Sequence, residues 1–544
     1  MEQQAEAVRE PGTMVREFRQ ILVWPVQLAP IYGTPGAGSH WERLLGADGP
    51  WREVSDEFTD DPRDFQERHY CEFVAFMPDV QRFLYGEGAK GHEPSAIRVF
   101  RRRDVTSARV TLRSGTVPLT LDVARVELYF FYDIDLAILA VEVAGRELTL
   151  DQAQELQFRF GRAYPKAWDA DGHGAHCCAE VALLAADGAV LARSDYPHKA
   201  DYLVHVCAQR TPRVASHWAY LLEPLVPQHS DTPGDIRYTL LEHQRIPLLT
   251  YLAVDDPYAI ARDDWMRLGL ASPPGASGTA PYAAGFLDDF EARHCYDRFW
   301  DARRQHDQTA TRIICTGHAF VMVGEAGNPV FTDGENGILA QFRHQYFILG
   351  LIAHFHRAAL LIFRDRLVTA ITQLRDYSGD TVKRFKREVR LSHENFLRFT
   401  HRYWFQDVSS QPAAQELFAL WVAHLKTDRL FAEVRAEVQD MIDYLDSDGL
   451  RRQANSVVRL TVVTFFGLIG TVATGFLRMN LIDLTQATLL TKLVALIAVL
   501  IPVALLTFYT AAKSRRLAEF LEAMSDERRS LRHKWRTLLR VWRR

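Results

Sequence analysis

The densest group of potential metal ligands in the chain is the segment DADGHGAHCC at residues 169–178. Imidazole and thiolate groups bind Zn²⁺ and similar ions, and carboxylates can complete such a site. No second group of cysteines and histidines stands nearby at the spacing of a zinc finger, so a polar loop is the competing interpretation. The candidate ligands are Asp169, Asp171, His173, His176, Cys177 and Cys178.

A second group of carboxylates lies in the segment QDMIDYLDSDG at residues 439–449. In an assembly of several copies, a ring of such side chains would concentrate cations. A solvated acidic helix face ending at Gly449 explains the same residues equally well. Asp443 and Asp440 are the candidate cation ligands here, beside Asp446 and Asp448.

No recognisable catalytic motif accompanies these residues. The chain lacks a GxSxG nucleophile elbow and an HExxH zinc motif, and its Gly-rich segment YGTPGAGS lacks the lysine of a phosphate loop. The sequence therefore does not predict an enzyme. A formal net charge of −4 also gives no reason to expect a nucleic-acid partner.

Two long segments without any charge lie near the end of the chain, at residues 460–477 and 493–512. Each is long enough to cross a bilayer, so we predict two transmembrane helices, with a pair of buried core helices as the alternative. Basic residues before the first segment and after the second predict that both ends of the chain lie in the cytosol. They are Arg451, Arg452, Arg459, Lys513, Arg515 and Arg516.

A third apolar segment, YFILGLIAHFHRAALLIF at residues 346–363, is not predicted to cross a membrane. His354, His356 and Arg357 lie in its middle and would be costly in hydrocarbon. We expect a helix of the cytosolic part instead.

The last twenty residues combine basic and apolar side chains at helical spacing, with Trp535 and Trp542 among the latter. Such a basic amphipathic helix is expected to lie on anionic lipid, and packing on the helix of a neighbouring subunit is the alternative. Its basic residues include Arg528, Arg529, Arg532, Lys534, Arg536 and Arg540.

The first part of the chain predicts a cytosolic α/β domain with a mixed sheet. Nothing at its start directs export, and six scattered cysteines are typical of free thiols in a reducing compartment. Strand composition at 126–143 and 246–254, a hairpin turn at Asp187-Gly188 and a Thr149–Gln152 capping pattern alternate along it. The segment 271–281 is rich in proline and glycine and is predicted to divide two lobes.

Helical composition follows, and we predict one continuous helix from Pro412 to Asn480 because no proline occurs between them. The overall prediction is an α+β membrane protein with seven segments. They are a cytosolic α/β domain at 1–330, a helical hairpin at 337–407, a stalk helix at 412–459, a pore-lining span at 460–480, an outer loop at 481–492, a second span at 493–512 and a basic cytosolic tail at 513–544.

This organisation resembles the CorA-type divalent-cation channels. In that family the first span closes with Gly-Met-Asn, and here Arg478-Met479-Asn480 occupies that place. The first span also begins with a Leu-Thr pair, Leu460-Thr461, at a similar distance from Met479-Asn480. The resemblance covers the architecture and these short motifs.

The resemblance implies a homopentamer in a bacterial inner membrane, with the first span around a central pore. It implies that Asn480 selects a hydrated divalent cation, Mg²⁺ or a transition metal, and that such ions also regulate the channel. Asn480 as a simple helix cap, and Leu468 as a lipid-facing leucine, are the alternatives. The positions that match pore-facing positions of the family are Leu468, Thr471, Gly475, Met479, Asn480 and, at the cytosolic entrance, Asp443.

One residue departs from the family pattern. Arg478 stands where the family has glycine, and five guanidinium groups beside the mouth of a pore would repel a dication or attract anions. Three functions therefore stay open: a divalent-cation channel, a pore of altered or anion selectivity, and a non-conducting membrane sensor that acts through its cytosolic domain.

Overall fold

The computed structural model describes most of the chain up to residue 478 and a few residues after it. The described residues are 13–30, 39–45, 49–54, 67–86, 95–131, 133–241, 244–275, 281–304, 309–372, 379–478, 488–490, 493–494, 497–498, 501–502, 505 and 509. The chain divides into two compact units, Met1–Glu437 and Val438–Arg544.

In the described part of the first unit, fourteen strands form one sheet. They are β1 Met14–Leu28, β2 Trp51–Glu53, β3 Ile97–Arg102, β4 Ser107–Thr111, β5 Leu119–Phe131, β6 Leu136–Thr149, β7 Glu180–Leu184, β8 Val190–Arg193, β9 Val226–Pro227, β10 Arg237–Leu240, β11 Leu248–Val254, β12 Cys295–Phe299, β13 Thr311–Cys315 and β14 Ala319–Glu325.

Helices occur between the strands and dominate the chain after β14. They are α1 His40–Leu45, α2 Glu67–Ala75, α3 Pro78–Tyr85, α4 Leu150–Arg159, α5 Lys199–Gln209, α6 Ser216–Leu222, α7 Arg262–Leu270, α8 Ala284–His294, α9 Pro329–Thr332, α10 Ile338–Gln341, α11 Phe347–Thr372, α12 Gly379–Arg402, α13 Pro412–Leu425 and α14 Thr427–Arg478. A five-residue π-helix, Phe342–Tyr346, joins α10 to α11.

The sheet is mixed, as the sequence predicts. Its main order is β12-β13-β14-β11-β1-β6-β5-β4-β7-β8, and β1 pairs antiparallel with both β6 and β11. The pairs β11–β14 and β9–β10 are parallel. Because β11 and β14 lie on opposite sides of the connector at 271–281, both sides of that connector contribute to one sheet.

Local sequence signals predict several of these elements correctly. Helix α4 begins with a complete capping box, in which the Thr149 hydroxyl accepts from the Gln152 amide and the Gln152 side chain accepts from the Thr149 amide. Gly188 has φ of 82° in the turn between β7 and β8, a conformation that glycine adopts without strain. The apolar segment 126–143 forms parts of two paired strands, β5 and β6.

The apolar helical segment Ile338–Thr372 lies in the core of the first unit. Among the residues whose side chains the structure describes, it is the one helix long and apolar enough to cross a membrane, and 89% of its most apolar window is buried in the protein. Its polar groups have protein partners: His356 Nε2 lies 2.6 Å from the Tyr403 carbonyl oxygen, and Arg357 donates to that of Leu425 over 2.7 Å. This burial agrees with the prediction of a helix outside the membrane.

The prediction of one uninterrupted helix from Pro412 is wrong. Pro412 does begin a helix, α13, but Lys426 adopts the left-handed conformation with φ of 56° and ends it. The Lys426 amide closes the last turn onto the Ala423 carbonyl, and α14 starts at the next residue. A lysine gives no warning of such a break, because left-handed C-caps usually carry glycine or asparagine.

Candidate functional site

The predicted first span lies on α14, which is helical without interruption from Thr427 to Arg478. On this helix a set of residues recurs at alternating spacings of four and three: Val457, Thr461, Thr464, Leu468, Thr471, Gly475 and Arg478. Spacings of this kind place all seven positions along one face. We call this set the threonine face.

The three threonines of this face bond to their own helix. The hydroxyl groups of Thr461, Thr464 and Thr471 donate to the carbonyl oxygens of Val457, Leu460 and Gly467, over 2.9, 2.8 and 2.9 Å respectively. A hydroxyl that donates its proton in this way keeps its oxygen lone pairs as acceptors. All three side chains are exposed, so the face carries a row of oxygens that can accept hydrogen bonds from water bound to a cation.

The candidate acidic residues lie earlier on the same helix. Asp440 and Asp443 are both exposed, and Asp443 Oδ1 accepts a hydrogen bond from Gln439 over 2.9 Å. Asp443 is two heptads before Val457 and Asp440 is three heptads before Thr461, so both share the seven-residue register of the threonine face. In a left-handed coiled arrangement of several copies, that register would keep the carboxylates and the threonines on the same inner side.

The remaining predicted pore residues are described only in part. Arg478 is the last residue of α14, and Gly475 is exposed with open space where a Cβ would stand. The side chains of Leu468 and Arg478, the residues Met479 and Asn480, and the whole basic tail from 513 to 544 lie outside what the structure describes.

Many apolar side chains of the second unit are exposed in the single chain. On α14 they include Leu460, which is 69% exposed, and on the helical residues after 488 they include Leu489, which is 83% exposed. A soluble monomer rarely exposes so many apolar side chains, so we expect this unit to meet a partner surface or an apolar solvent. The set is Val457, Leu460, Val463, Leu489, Leu490, Leu493, Val494, Ile497, Ile501, Leu505 and Tyr509.

The segment 169–178 has a different environment from that expected of a metal site. Cys177 and Cys178 are buried in the hydrophobic core of the first unit, and burial raises the pKa of both thiols, that of Cys177 to about 12. The thiols are therefore protonated at neutral pH, and a metal ion would have to displace their protons in order to bind.

The histidines of this segment have other contacts. His173 Nε2 lies 3.1 Å from the Ser114 hydroxyl. His176 is exposed with φ of 66°, and its ring lies 5.1 Å from that of Phe158. Within the described ranges, no three His, Cys, Asp or Glu side chains come together as a metal site.

Sequence reasoning did not assign Val457, Thr461 and Thr464 to the threonine face. The signal that could have identified them is the seven-residue recurrence of small and hydroxyl-bearing residues, which becomes apparent once the helix is known to be continuous. No protein-family model matches the chain, and neither curated proteins nor solved structures include a significant match to it.

Proposed function

We propose that this chain is a CorA-like membrane channel that passes divalent metal cations passively, Mg²⁺ or a transition metal. The observation that carries the proposal is the threonine face of α14, a row of hydrogen-bond acceptors on a stretch of helix that also exposes the apolar side chains of Leu460 and Val463. Polar groups inside a membrane usually face a water-filled path or other helices, whereas the apolar sides of the helix face lipid.

A channel of this kind requires several copies of the chain. One helix face cannot enclose a path for an ion, but identical copies related by rotation place the same face around a common axis. The seven-residue register from Asp440 to Arg478 is the spacing at which helices coil around each other over a long distance. The resemblance to the CorA channels suggests five copies.

The chemistry of the face suits a hydrated cation. Mg²⁺ loses its water reluctantly, and neutral oxygens can hold its hydration shell without binding so tightly that the ion cannot leave. In this proposal the threonines conduct the hydrated ion, a ring of Asn480 amides selects it at the outer mouth, and Asp443 concentrates cations at the cytosolic entrance.

Arg478 is the reason for a second candidate, a pore of anion or altered selectivity. Arg478 is the last helical member of the threonine face, so its copies would surround the same axis, next to Asn480. Charges near a pore mouth act on every passing ion, and a positive ring favours anions.

The remaining segments fit the same proposal. The basic residues flanking 460–477 and 493–512 support an orientation with both ends in the cytosol, and the resemblance to the CorA channels suggests the bacterial inner membrane. The tail, with Arg528, Arg532 and Arg536, would bind anionic lipid at the cytosolic surface.

The test is ion flux through the purified full-length chain in liposomes, with Mg²⁺, Zn²⁺, Ni²⁺ and Cl⁻ offered separately. The proposal predicts uptake of at least one divalent cation that Asn480→Ala reduces, and that the matched amide variant Asn395→Ala on α12 leaves unchanged. Chloride flux abolished by Arg478→Gly would favour the second candidate. No flux of any ion in either the wild type or Arg478→Gly would refute both.

A further inference from the structure

A cavity of about 360 Å³ lies in the first unit, where the first turn of α11 faces the strands β3 and β5. This volume is within the range of sites for small organic molecules. Arginines line part of its wall and apolar side chains line the rest. Lining residues that matter for its chemistry are Arg98, Arg125, Arg343, His344, Phe347 and Leu351.

The π-helix Phe342–Tyr346 supplies two consecutive polar residues to this cavity, Arg343 and His344. Single π turns inside α-helices are frequent at functional sites. This turn is held in place by Arg125, whose Nη2 donates to the Arg343 carbonyl oxygen over 2.9 Å.

Arg343 is fixed by a buried carboxylate and keeps part of its hydrogen-bonding capacity. Its Nε donates to Glu142 Oε1 over 2.7 Å, and the Glu142 side chain is completely buried. The two terminal nitrogens of Arg343 donate to none of the described residues, and 28% of its side chain is exposed. A guanidinium held in this way presents a fixed pair of donors, the geometry that carboxylate and phosphate groups accept.

A network of arginines and glutamates lies beneath the cavity. Glu142 is contacted by Arg343, by Arg125 Nε at 2.8 Å and by Arg19 Nη1 at 3.1 Å. Arg19 also forms an ion pair with Glu17. Glu127 forms an ion pair with Arg101 and lies 3.6 Å from Arg125. Arg343 thus shares the single carboxylate of Glu142 with two other arginines, so that carboxylate compensates its charge only in part.

The carboxylates on the cavity wall are already engaged. Glu72 accepts from the Tyr85 hydroxyl over 3.0 Å and lies 3.4 Å from His344 Nδ1, while Glu53 pairs with Arg98 over 2.5 Å. These two carboxylates therefore compete only weakly with a ligand for the terminal nitrogens of Arg343.

Another part of the wall is apolar and is formed by Phe347, Ile348 and Leu351 of α11, together with Leu84 and Ile97. Arg125 lies over the Phe347 ring at 4.3 Å, so the cationic and apolar parts of the wall adjoin directly. A ligand with an anionic group at one end and an apolar body at the other would satisfy both.

We propose that this cavity binds a small organic anion, with its carboxylate or phosphate on Arg343 and its apolar body against Phe347, Ile348 and Leu351. The site is independent of the pore proposed above, because each residue that forms it belongs to the first unit. It gives the large N-terminal region a ligand class to recognise.

The test is calorimetric titration of the full-length protein with phenyl phosphate, with phenylacetate and with the neutral benzyl alcohol. We expect saturable binding of at least one of the two anions and none of the alcohol. Arg343→Gln should weaken binding at least about tenfold, since a hydrogen bond to a charged group contributes roughly 1.5–3 kcal/mol and 1.4 kcal/mol is a factor of ten. In that variant Glu142 still forms ion pairs with Arg19 and Arg125, so the fold should persist.

Two further variants keep the test decisive. Ile348→Trp fills the cavity without changing any charge and should abolish binding, whereas Arg298→Gln removes an exposed arginine outside the cavity and should leave it unchanged. Absence of anion binding to the wild type would overturn the proposal. Equal affinity in Arg343→Gln and wild type, or binding unaffected by Ile348→Trp, would overturn it as well.

Discussion

Replacing Glu142 by glutamine is expected to destabilise the first unit by about 3–5 kcal/mol, the range for removing one partner of a buried ion pair. Glu142 is completely buried, and its two oxygens lie 2.7–3.1 Å from nitrogens of Arg19, Arg125 and Arg343. Glutamine keeps the shape of the side chain but removes the charge, so three arginines lose the carboxylate that compensates them.

The expected shift in melting temperature follows from the size of the unit. A unit of about 437 residues has an unfolding entropy of about 0.9 kcal/mol/K at roughly 2.1 cal/mol/K per residue. A loss of 3–5 kcal/mol therefore lowers Tm by roughly 3–5 °C. Differential scanning calorimetry of the detergent-solubilised chain measures this shift.

The matched control is Glu433→Gln, which breaks the exposed Arg429–Glu433 pair on α14. Exposed i,i+4 pairs contribute roughly 0.3–0.5 kcal/mol, so Tm should fall by less than about 1 °C. Equal Tm values for Glu142→Gln and Glu433→Gln would refute the role assigned to the buried network.

The pH dependence provides an independent check. Burial alone would raise the pKa of Glu142, but the charges of Arg125, Arg343 and Arg19 and the Arg343 hydrogen bond together hold it below its ordinary value of 4.5. A lowered folded-state pKa gives stability that is present above pH 4.5 and is lost as the pH falls through the folded value. The Tm difference between wild type and Glu142→Gln should therefore be constant above about pH 5 and shrink at lower pH.

Three other predictions concern the first unit. Thr149→Ala removes the hydroxyl of the capping box and should cost about 1 kcal/mol, or roughly 1 °C in Tm by calorimetry; an unchanged Tm would contradict the cap. Gly324→Ala places a methyl group into the ring of Phe331 and should cost about 1–3 kcal/mol in the same assay, and a more stable variant would contradict this packing. In native protein at pH 8, iodoacetamide should label exposed Cys207 within minutes and buried Cys178 only after denaturation, because burial raises the pKa of the Cys178 thiol; equal labelling by mass spectrometry would contradict its burial.

Helix starts and turns that depend on the stereochemistry of a few adjacent residues were predicted correctly from the sequence. The capping box at Thr149, the glycine turn at Gly188 and the first-turn proline at Pro412 each depend on a few adjacent residues, and all three occur as expected. The segment 346–363, whose polar residues argued against a lipid environment, forms part of a helix that is mostly buried in the protein.

Features that depend on long-range packing could not be predicted. No local sequence rule predicts that helix α13 ends at Lys426. The hydrogen bonds of the Lys426 amide to carbonyl oxygens of the last turn are seen only in the folded chain. The ion network around Glu142 unites residues more than two hundred positions apart, from Arg125 to Arg343, and the cavity above it exists only because α11 packs near that part of the sheet. The threonine face was missed in part because its members look like ordinary residues of an apolar segment.

The most direct test of the channel proposal compares two adjacent residues of α14 that are both exposed in the single chain, Thr464 and Val463. Each is changed to cysteine in a chain whose exposed Cys71 and Cys207 are replaced by serine, and divalent-cation flux into liposomes is recorded before and after a water-soluble cationic thiol reagent. If the threonine face lines a hydrated pore, the reagent blocks flux through Thr464→Cys and leaves Val463→Cys unchanged. Equal block of both variants, or of neither, would contradict the proposed pore.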